Sequence, residues 1–422
     1  VTRRTPLFGW LVADVASLTG TRVSMIAIPW FVLTTTGSAT QTGLVAAAEM
    51  APLVLMKALG GPIIDRLGAR RVTLTCDALS TIVVGLIPLL HLAGLLGFPV
   101  LLMLVALAGA LRGPGDASKY ALVPQIAEMA GVPLERVTGL QGAIERTAAF
   151  AGAAFAGVLV ALVGPANALL VDAASFAVSG VALAATTRGL GRPERTVQSD
   201  SSYVTDLREG WRFLRSDPVL VGICLMVSVT NLLDQAYTVV LVPVWAHDSG
   251  RGAAAVGVLF AVFSAASIGG SVLAAAFAER LPRFRVYVVA FLLCGAPRFV
   301  ALALDSPMWL ILGTAVVGGF ASGFLNPVLG AVIYERITPH LTGRVTSLNT
   351  ALCWSLMPLG GLLGGALIAG VGLSPALLLV GAAYFVATMA PTAGPRFRAM
   401  DRPPPTRPVL TPEHADPALV DA

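Results

Sequence analysis

Twelve apolar runs, separated by short breaks of charge, glycine and proline, dominate the chain. They fall near 9–35, 41–65, 72–93, 98–121, 137–163, 166–187, 218–245, 253–278, 286–304, 308–332, 344–371 and 374–392. A helix crossing the hydrocarbon layer needs about 20 apolar residues, so twelve crossings would use about 240 positions. The chain has 422 residues, 56% of them hydrophobic, which is a quota of that size. Backbone groups in lipid must find partners within their own segment, so spans of this length must be helices. The expected fold is an all-α membrane protein. Charged residues make up only 12%, against about 25% in soluble domains, which argues against a soluble enzyme. No small-residue cleavage site follows the first run, so insertion by span 1 itself is expected rather than a removed signal peptide.

A net charge of +5 would suggest nucleic acid in a soluble protein, but the placement of the charges points to lipid and away from nucleic acid. With the N-terminus in the cytoplasm, 22 of the 28 Lys and Arg fall on one side, against Arg251 alone on the other; five lie within spans. Such bias predicts a multi-pass plasma-membrane protein with both termini cytoplasmic. Residues 188–217 form the longest polar segment before the tail and divide the spans six and six. The expected organisation is a six-helix bundle over 1–187, a cytoplasmic linker with an interfacial helix over 188–217, a second bundle over 218–392, and a disordered cytoplasmic tail over 393–422. The linker's TDLREGWRFLR should lie at the interface, with Trp211 and Phe213 towards lipid and its arginines towards headgroups.

The halves repeat. Aligned without gaps from Arg136 and Arg344, spans 5 and 11 match at 11 of 29 positions, with Gly152, Gly157 and Gly164 opposite Gly360, Gly365 and Gly372. Two pseudo-symmetric six-helix bundles are the architecture of a rocking transporter.

Between spans 2 and 3 the chain reads GGPIIDRLGARRV, containing Gly61, Asp65, Arg66, Gly68, Arg70 and Arg71. Gly61 permits close helix packing, Gly68 a sharp turn, and Asp65 can meet the positive end of a neighbouring helix. With these residues the chain resembles the major facilitator superfamily, whose signature in this loop is Gly, three residues, Asp, Arg, any residue, Gly, then basic residues. The resemblance implies that the loop contacts span 11 and latches the halves on the cytoplasmic side. Ala69 stands where the family commonly has Arg, which makes Arg70 the candidate for the usual contact with span 4. The second-half loop FAERLPRFRV keeps Glu279, Arg280, Arg283 and Arg285 but has Pro282 at the turn. Further segments, SLTGTRVSMIAIPWFVLTTTGSATQTGL, ALVPQIA and GRVTSLN, are similar to the macrolide-efflux and enterobactin-exporter-like branch.

Ionisable residues within spans cost at least about 2.5–3.5 kcal/mol each on insertion scales, so they face a cavity or one another. Arg22 and Asp234 fall near the midplane and Glu49 somewhat outward, which places Arg22 to pair with Asp234 or with Glu49. Arg112 and Glu145 share a depth and form a second candidate pair, with Arg146 and Arg298 as contacts for an anionic group. The Arg22 pair serves either as a structural tie or as a site where a proton is exchanged for substrate; Arg112 with Glu145 reads first as a structural helix pairing, with a transport role as the alternative. Lys57, Asp77 and Asp116 are expected in latch or snorkelling roles, and Asp172 is expected to be exposed near the outer face. Trp30, Phe31, Tyr237 and Trp354 are candidate cavity walls.

Neither lysine follows a GxxxxG pattern, the four histidines stand alone, and no CxxC pair exists. A P-loop, an intramembrane metal centre and a disulfide framework are therefore not expected. The sequence reads as a secondary transporter, not an enzyme. It is expected to act as a monomer, with no cofactor beyond a proton gradient, exporting a small amphipathic compound. An importer of the same fold and a non-transporting receptor or scaffold are the alternatives.

Overall fold

A computed structural model describes residues 4–188, 203–277, 282–337 and 342–394. Helices account for nearly all of them. The first half contains α1 (Thr5–Thr36), α2 (Ala39–Leu67), α3 (Ala69–Leu92), α4 (Phe98–Ala121), the short α5 (Val123–Ala130), α6 (Leu134–Thr147), α7 (Ala153–Val163) and α8 (Pro165–Thr186). The linker helix α9 (Tyr203–Ser216) precedes α10 (Pro218–Ala236), α11 (Val242–Asp248), α12 (Gly252–Phe277), α13 (Arg283–Cys294), α14 (Ala296–Ala303), α15 (Met308–Arg336), α16 (Thr342–Trp354), α17 (Met357–Val371) and α18 (Leu373–Met389). Eleven stretches among the described residues are long and apolar enough to cross a membrane. The twelfth, span 5, is built from α6 and the shorter apolar Ala148–Val163. Large apolar side chains such as Leu92, Leu162 and Trp309 stand exposed around the bundle, as a lipid-facing surface requires.

Four spans are interrupted, and three interruptions have a proline to account for them. A proline cannot donate to the carbonyl four residues back, and its ring crowds that carbonyl. Pro243 thus follows the π-helical turn Tyr237–Leu241 in span 7, Pro297 follows the break at Gly295 in span 9, and Pro358 restarts span 11 at α17. Span 5 carries a π-helical turn at Ala148–Gly152 with no proline. There Arg22 crosses it: a Cβ on Gly152 would lie 3.0 Å from Arg22 Cγ. In the repeat alignment this turn falls opposite 356–360, where span 11 also breaks.

Each half is held by a seam of small residues. Gly109 and Gly113 of α4 rest directly on the α2 backbone; a Cβ on Gly113 would come within 2.8 Å of the Leu53 oxygen and the Lys57 nitrogen. Gly319 and Gly323 of α15 do the same on α12, at Phe263, Ser267 and Ser271. Small-xxx-small spacing allows this approach, and van der Waals packing then replaces the hydrophobic drive that lipid cannot supply.

The halves meet chiefly through α2 with α17 and α7 with α12. Gly43 faces Gly361, and a Cβ on Gly157 would lie 2.7 Å from Gly257 Cα. All four glycines sit near the helix ends remote from the loops that carry most of the arginines. The halves are thus sealed together at the end opposite that basic end. Near the basic end, Lys57 of α2 lies over the Trp354 ring of α16, 4.2 Å from its centroid.

The linker helix packs one side against the second half. Leu214 is buried with Leu220, Ile337 and Val345, and Phe213 packs against this cluster instead of facing lipid as expected. Asp217 caps α10 by accepting from the Val219 and Leu220 amides and also receives Arg336 at 3.1 Å.

Candidate functional site

In the second half, the break at Gly295 and Pro297 places Arg298 in the first turn of α14. Its guanidinium pairs with Asp234 of α10. Three rings surround the guanidinium, with centroids 4.7 Å away for Tyr237, 4.8 Å for Phe299 and 5.1 Å for Tyr384. A cation over aromatic faces gains electrostatically from their quadrupoles, more so away from water. The pair is lopsided: the Arg298 side chain is 12% exposed and that of Asp234 37%. The carboxylate is therefore the accessible partner. Arg298, though not Asp234, lines a cavity of about 70 Å³ together with Tyr237, Thr238, Phe260, Phe263 and Thr314. Drug-sized pockets run to roughly 300–1,000 Å³, so this nook has room for one group of a ligand.

In the first half the partners differ from those expected. Arg112 pairs with Glu49 at 2.8 Å, not with Glu145. The α2–α4 seam explains this, since Gly109 packs on the Glu49 backbone one turn from Arg112. Glu145 accepts from the Tyr120 hydroxyl. Arg22 reaches neither Asp234 nor Glu49; its Nη1 lies 3.7 Å from the Met25 sulfur, and its buried Nε has no hydrogen-bond partner. The side chain of Arg146 lies outside the described residues.

Asp172, expected to be exposed, is fully buried and accepts from Ser24 and Ser175. Asp77, expected in a latch or snorkelling role, forms a buried pair with Lys119 at 3.1 Å, and Ser179 donates to Asp77 at 2.6 Å. Lys57 stacks on Trp354 and so joins the two halves. Of the other candidate wall residues, Tyr237 lines the cavity, Trp30 meets His247 edge-on at 6.0 Å, and Phe31 is buried against His91.

The loop between spans 2 and 3 turns at Gly68, where φ is +87°, a conformation that glycine alone adopts without strain. Arg70 donates to Thr187 Oγ1 at 3.0 Å and to the Ala184 carbonyl at 3.3 Å. It thereby caps the negative end of α8 instead of serving span 4. Arg66 and Arg71 are exposed. The side chains at Gly61 and Asp65 lie outside the described residues, as do Glu279 and Arg280 altogether, so the expected contact with span 11 and the second-half latch are not described. At the matching edge of the second half, Arg283 grips Glu335 in a two-pronged pair of 2.6 and 2.7 Å.

Sequence reasoning had not singled out Phe299, Tyr384, Phe260, Thr238, Tyr120 or Ser24. Tyr384 and Phe299 carried no local signal. The four-residue spacing of Gly109 with Gly113 and of Gly319 with Gly323 was a signal for the helix pairs that set the charge partners.

The family model described as transmembrane secretion effector, of the major facilitator type, matches residues 3–407. The multidrug efflux pump Tap of Mycobacterium tuberculosis (strain H37Rv) is 31% identical over 405 residues, covering 95% of this chain and 96% of the relative. Tap of Mycolicibacterium fortuitum is 28% identical over 407 residues, covering 95% and 98%. Among solved structures, the nucleoside transporter NupG shares the fold with a TM-score of 0.75 at 14% identity, covering 95% of this chain and 100% of that one. The similarity is thus to Tap-like pumps, without resolving a macrolide or enterobactin branch. These are transporters and not enzymes, and the present chain is a secondary-active, alternating-access membrane transporter. It belongs to the major facilitator superfamily, in its transmembrane secretion effector family.

Proposed function

We propose that this protein exports small amphipathic compounds, of drug, macrolide or siderophore-like character, across the plasma membrane in exchange for protons. The observation that carries this reading is the Asp234–Arg298 pair: an accessible carboxylate, oriented by a caged guanidinium that itself lines a largely apolar cavity. That arrangement offers apolar walls to the body of a compound and one ionised acceptor to its donor groups. The names of the Tap relatives support export.

In this account the basic end is cytoplasmic, both termini included, and the sealed end is outside. The halves 1–187 and 218–392 rock as units about the α2–α17 and α7–α12 contacts, joined by the 188–217 linker and trailed by 393–422, in a monomer. Substrate enters from the cytoplasm or inner leaflet and its donor groups engage the free edge of the Asp234 carboxylate. The outer glycine contacts then part while the basic end closes through the loops after spans 2 and 8. A proton from outside binds Asp234 and displaces the substrate; the return stroke delivers that proton to the cytoplasm, where Arg298 recovers the carboxylate. The gradient is the energy source, and no bound cofactor is required.

Everted vesicles test this directly. Wild type should accumulate an amphipathic dye only with an inside-acid gradient, a protonophore should abolish the accumulation, and Asp234→Asn should lose it. Accumulation that ignores both the gradient and the substitution would contradict proton coupling through Asp234.

A further inference from the structure

The linker helix α9 has two unlike faces. Leu214 is 2% exposed, and this side packs on Leu220 of α10, Ile337 at the end of α15 and Val345 of α16. Arg208, Arg212 and Arg215 are all exposed, as is Trp211 at 45%. Their spacing of four and three residues stacks the arginines along one stripe of the helix, roughly opposite Gly210 and Phe213, with Trp211 beside the stripe. In helical register Asp206 falls about 120° or more from each arginine, while Glu209 lies about 60° from Arg212, at the edge of the stripe. None of the three arginines has a hydrogen-bond or ion-pair partner among the described residues. Elsewhere at this end Arg70 is engaged with the end of α8, Arg283 with Glu335 and Arg336 with Asp217, while Arg66 and Arg71 are exposed.

The position of the stripe selects its occupant. The helix is anchored at its C-terminal end, where Asp217 both caps α10 and holds Arg336. It therefore sits at the membrane-level mouth of the second half. Three guanidiniums without a partner among the described residues, flanked by an exposed tryptophan, match an anionic headgroup layer, in which arginine meets phosphate by paired N–H donors and tryptophan occupies the interface.

We propose that the stripe of Arg208, Arg212 and Arg215 binds anionic phospholipid headgroups of the bilayer, and that the occupied helix clamps the adjoining ends of α10, α15 and α16. The inference stands apart from the choice of substrate and coupling ion. Because α9 reaches Val345 in α16, the span that bears Trp354, lipid composition would act on the basic end of the moving interface.

The full-length protein, purified in non-ionic detergent, is titrated with phosphatidylglycerol or phosphatidylcholine and the bound lipid counted by native mass spectrometry. A contribution of roughly fivefold per basic residue predicts that R208Q/R212Q/R215Q weakens phosphatidylglycerol binding about a hundredfold. Phosphatidylcholine should bind weakly to both proteins, and millimolar inorganic phosphate should not displace the lipid. Undiminished phosphatidylglycerol binding by the triple variant, equal binding of the two lipids by wild type, or displacement by free phosphate overturns the proposal. Should the variant not fold, hydrogen exchange over 203–216 in wild-type nanodiscs decides: slower exchange in phosphatidylglycerol than in phosphatidylcholine is expected, and equal rates contradict it.

Discussion

The two halves of this transporter share a scaffold and differ in chemistry. Gly109 and Gly113 seat α4 on α2 as Gly319 and Gly323 seat α15 on α12. Inside those matching frames, the first half encloses Glu49 with Arg112, Asp77 with Lys119, and Asp172 with its serines. The second half has one pair within its spans among the described residues, Asp234 with Arg298, and leaves its carboxylate partly open beside aromatic rings. Packing that holds helices together in lipid constrains backbones and is inherited by both copies of a repeat. Polar chemistry is under no such symmetry, so one copy can hold sealed ties while the other presents a site.

That contrast can be broken in graded steps. The seams come first: Gly113→Val and Gly323→Val each drive a side chain into the partner backbone. Each should cost on the order of 4 kcal/mol or more and deplete folded protein. Size-exclusion profiles of the solubilised variants check this, and damage confined to one half would end the claim of a common scaffold. Next, Asp77→Asn strands the buried Lys119 and should destabilise by about 3–5 kcal/mol. Asp234→Asn should cost distinctly less, because its side chain is 37% exposed and three rings still support Arg298. Melting curves of the two purified variants compare them.

Smaller effects probe the joint between the halves and its edge. Lys57→Met removes a cation–π contact worth about 0.5–1 kcal/mol at an exposed site. It should shift the conformational balance more than the stability, seen as faster labelling of a cysteine introduced at Ser355, next to the retained Trp354. The smallest effect belongs to Glu335, which lies beyond the apolar part of α15. Its hydrogen bond from Arg283 holds its pKa below the ordinary 4.5. A lowered folded-state pKa adds stability that is complete above the ordinary value and is lost as pH falls through the depressed one. Wild type should therefore lose a small increment in melting temperature below about pH 4.5 that Arg283→Gln lacks at any pH; parallel pH profiles would contradict that.

The spans were legible because hydrocarbon leaves the backbone no other partner. Observed helices such as Phe98–Ala121 and Leu373–Met389 fall on the expected runs to within a few residues. The turn at Gly68 was legible for a similar reason, since few residues tolerate that backbone conformation. The charge partners were not. Residue counting yields depth along a helix, but a pair also depends on azimuth and on which helices adjoin. Arg112 and Glu145 share a depth, yet α4 lies against α2, so Glu49 takes the guanidinium. The π-helical turn at Tyr237–Leu241, which shifts the helical register just after Asp234, is likewise invisible to a hydropathy pattern. The aromatic cage draws on three spans; Tyr237 was among the candidate wall residues, but Phe299 and Tyr384 read as ordinary apolar positions.

The central claim is that the second half performs the transport chemistry while the sealed pairs of the first half hold the fold. It is tested most directly by gradient-driven dye transport in proteoliposomes, comparing Asp234→Asn with Asp77→Asn, each normalised to the amount of folded protein. The account predicts that Asp234→Asn loses at least about nine-tenths of the wild-type rate per folded molecule, consistent with loss of a group that exchanges a proton, while Asp77→Asn yields less protein of near wild-type rate. Equal losses per folded molecule in both, or an Asp234→Asn that transports like wild type, would contradict it.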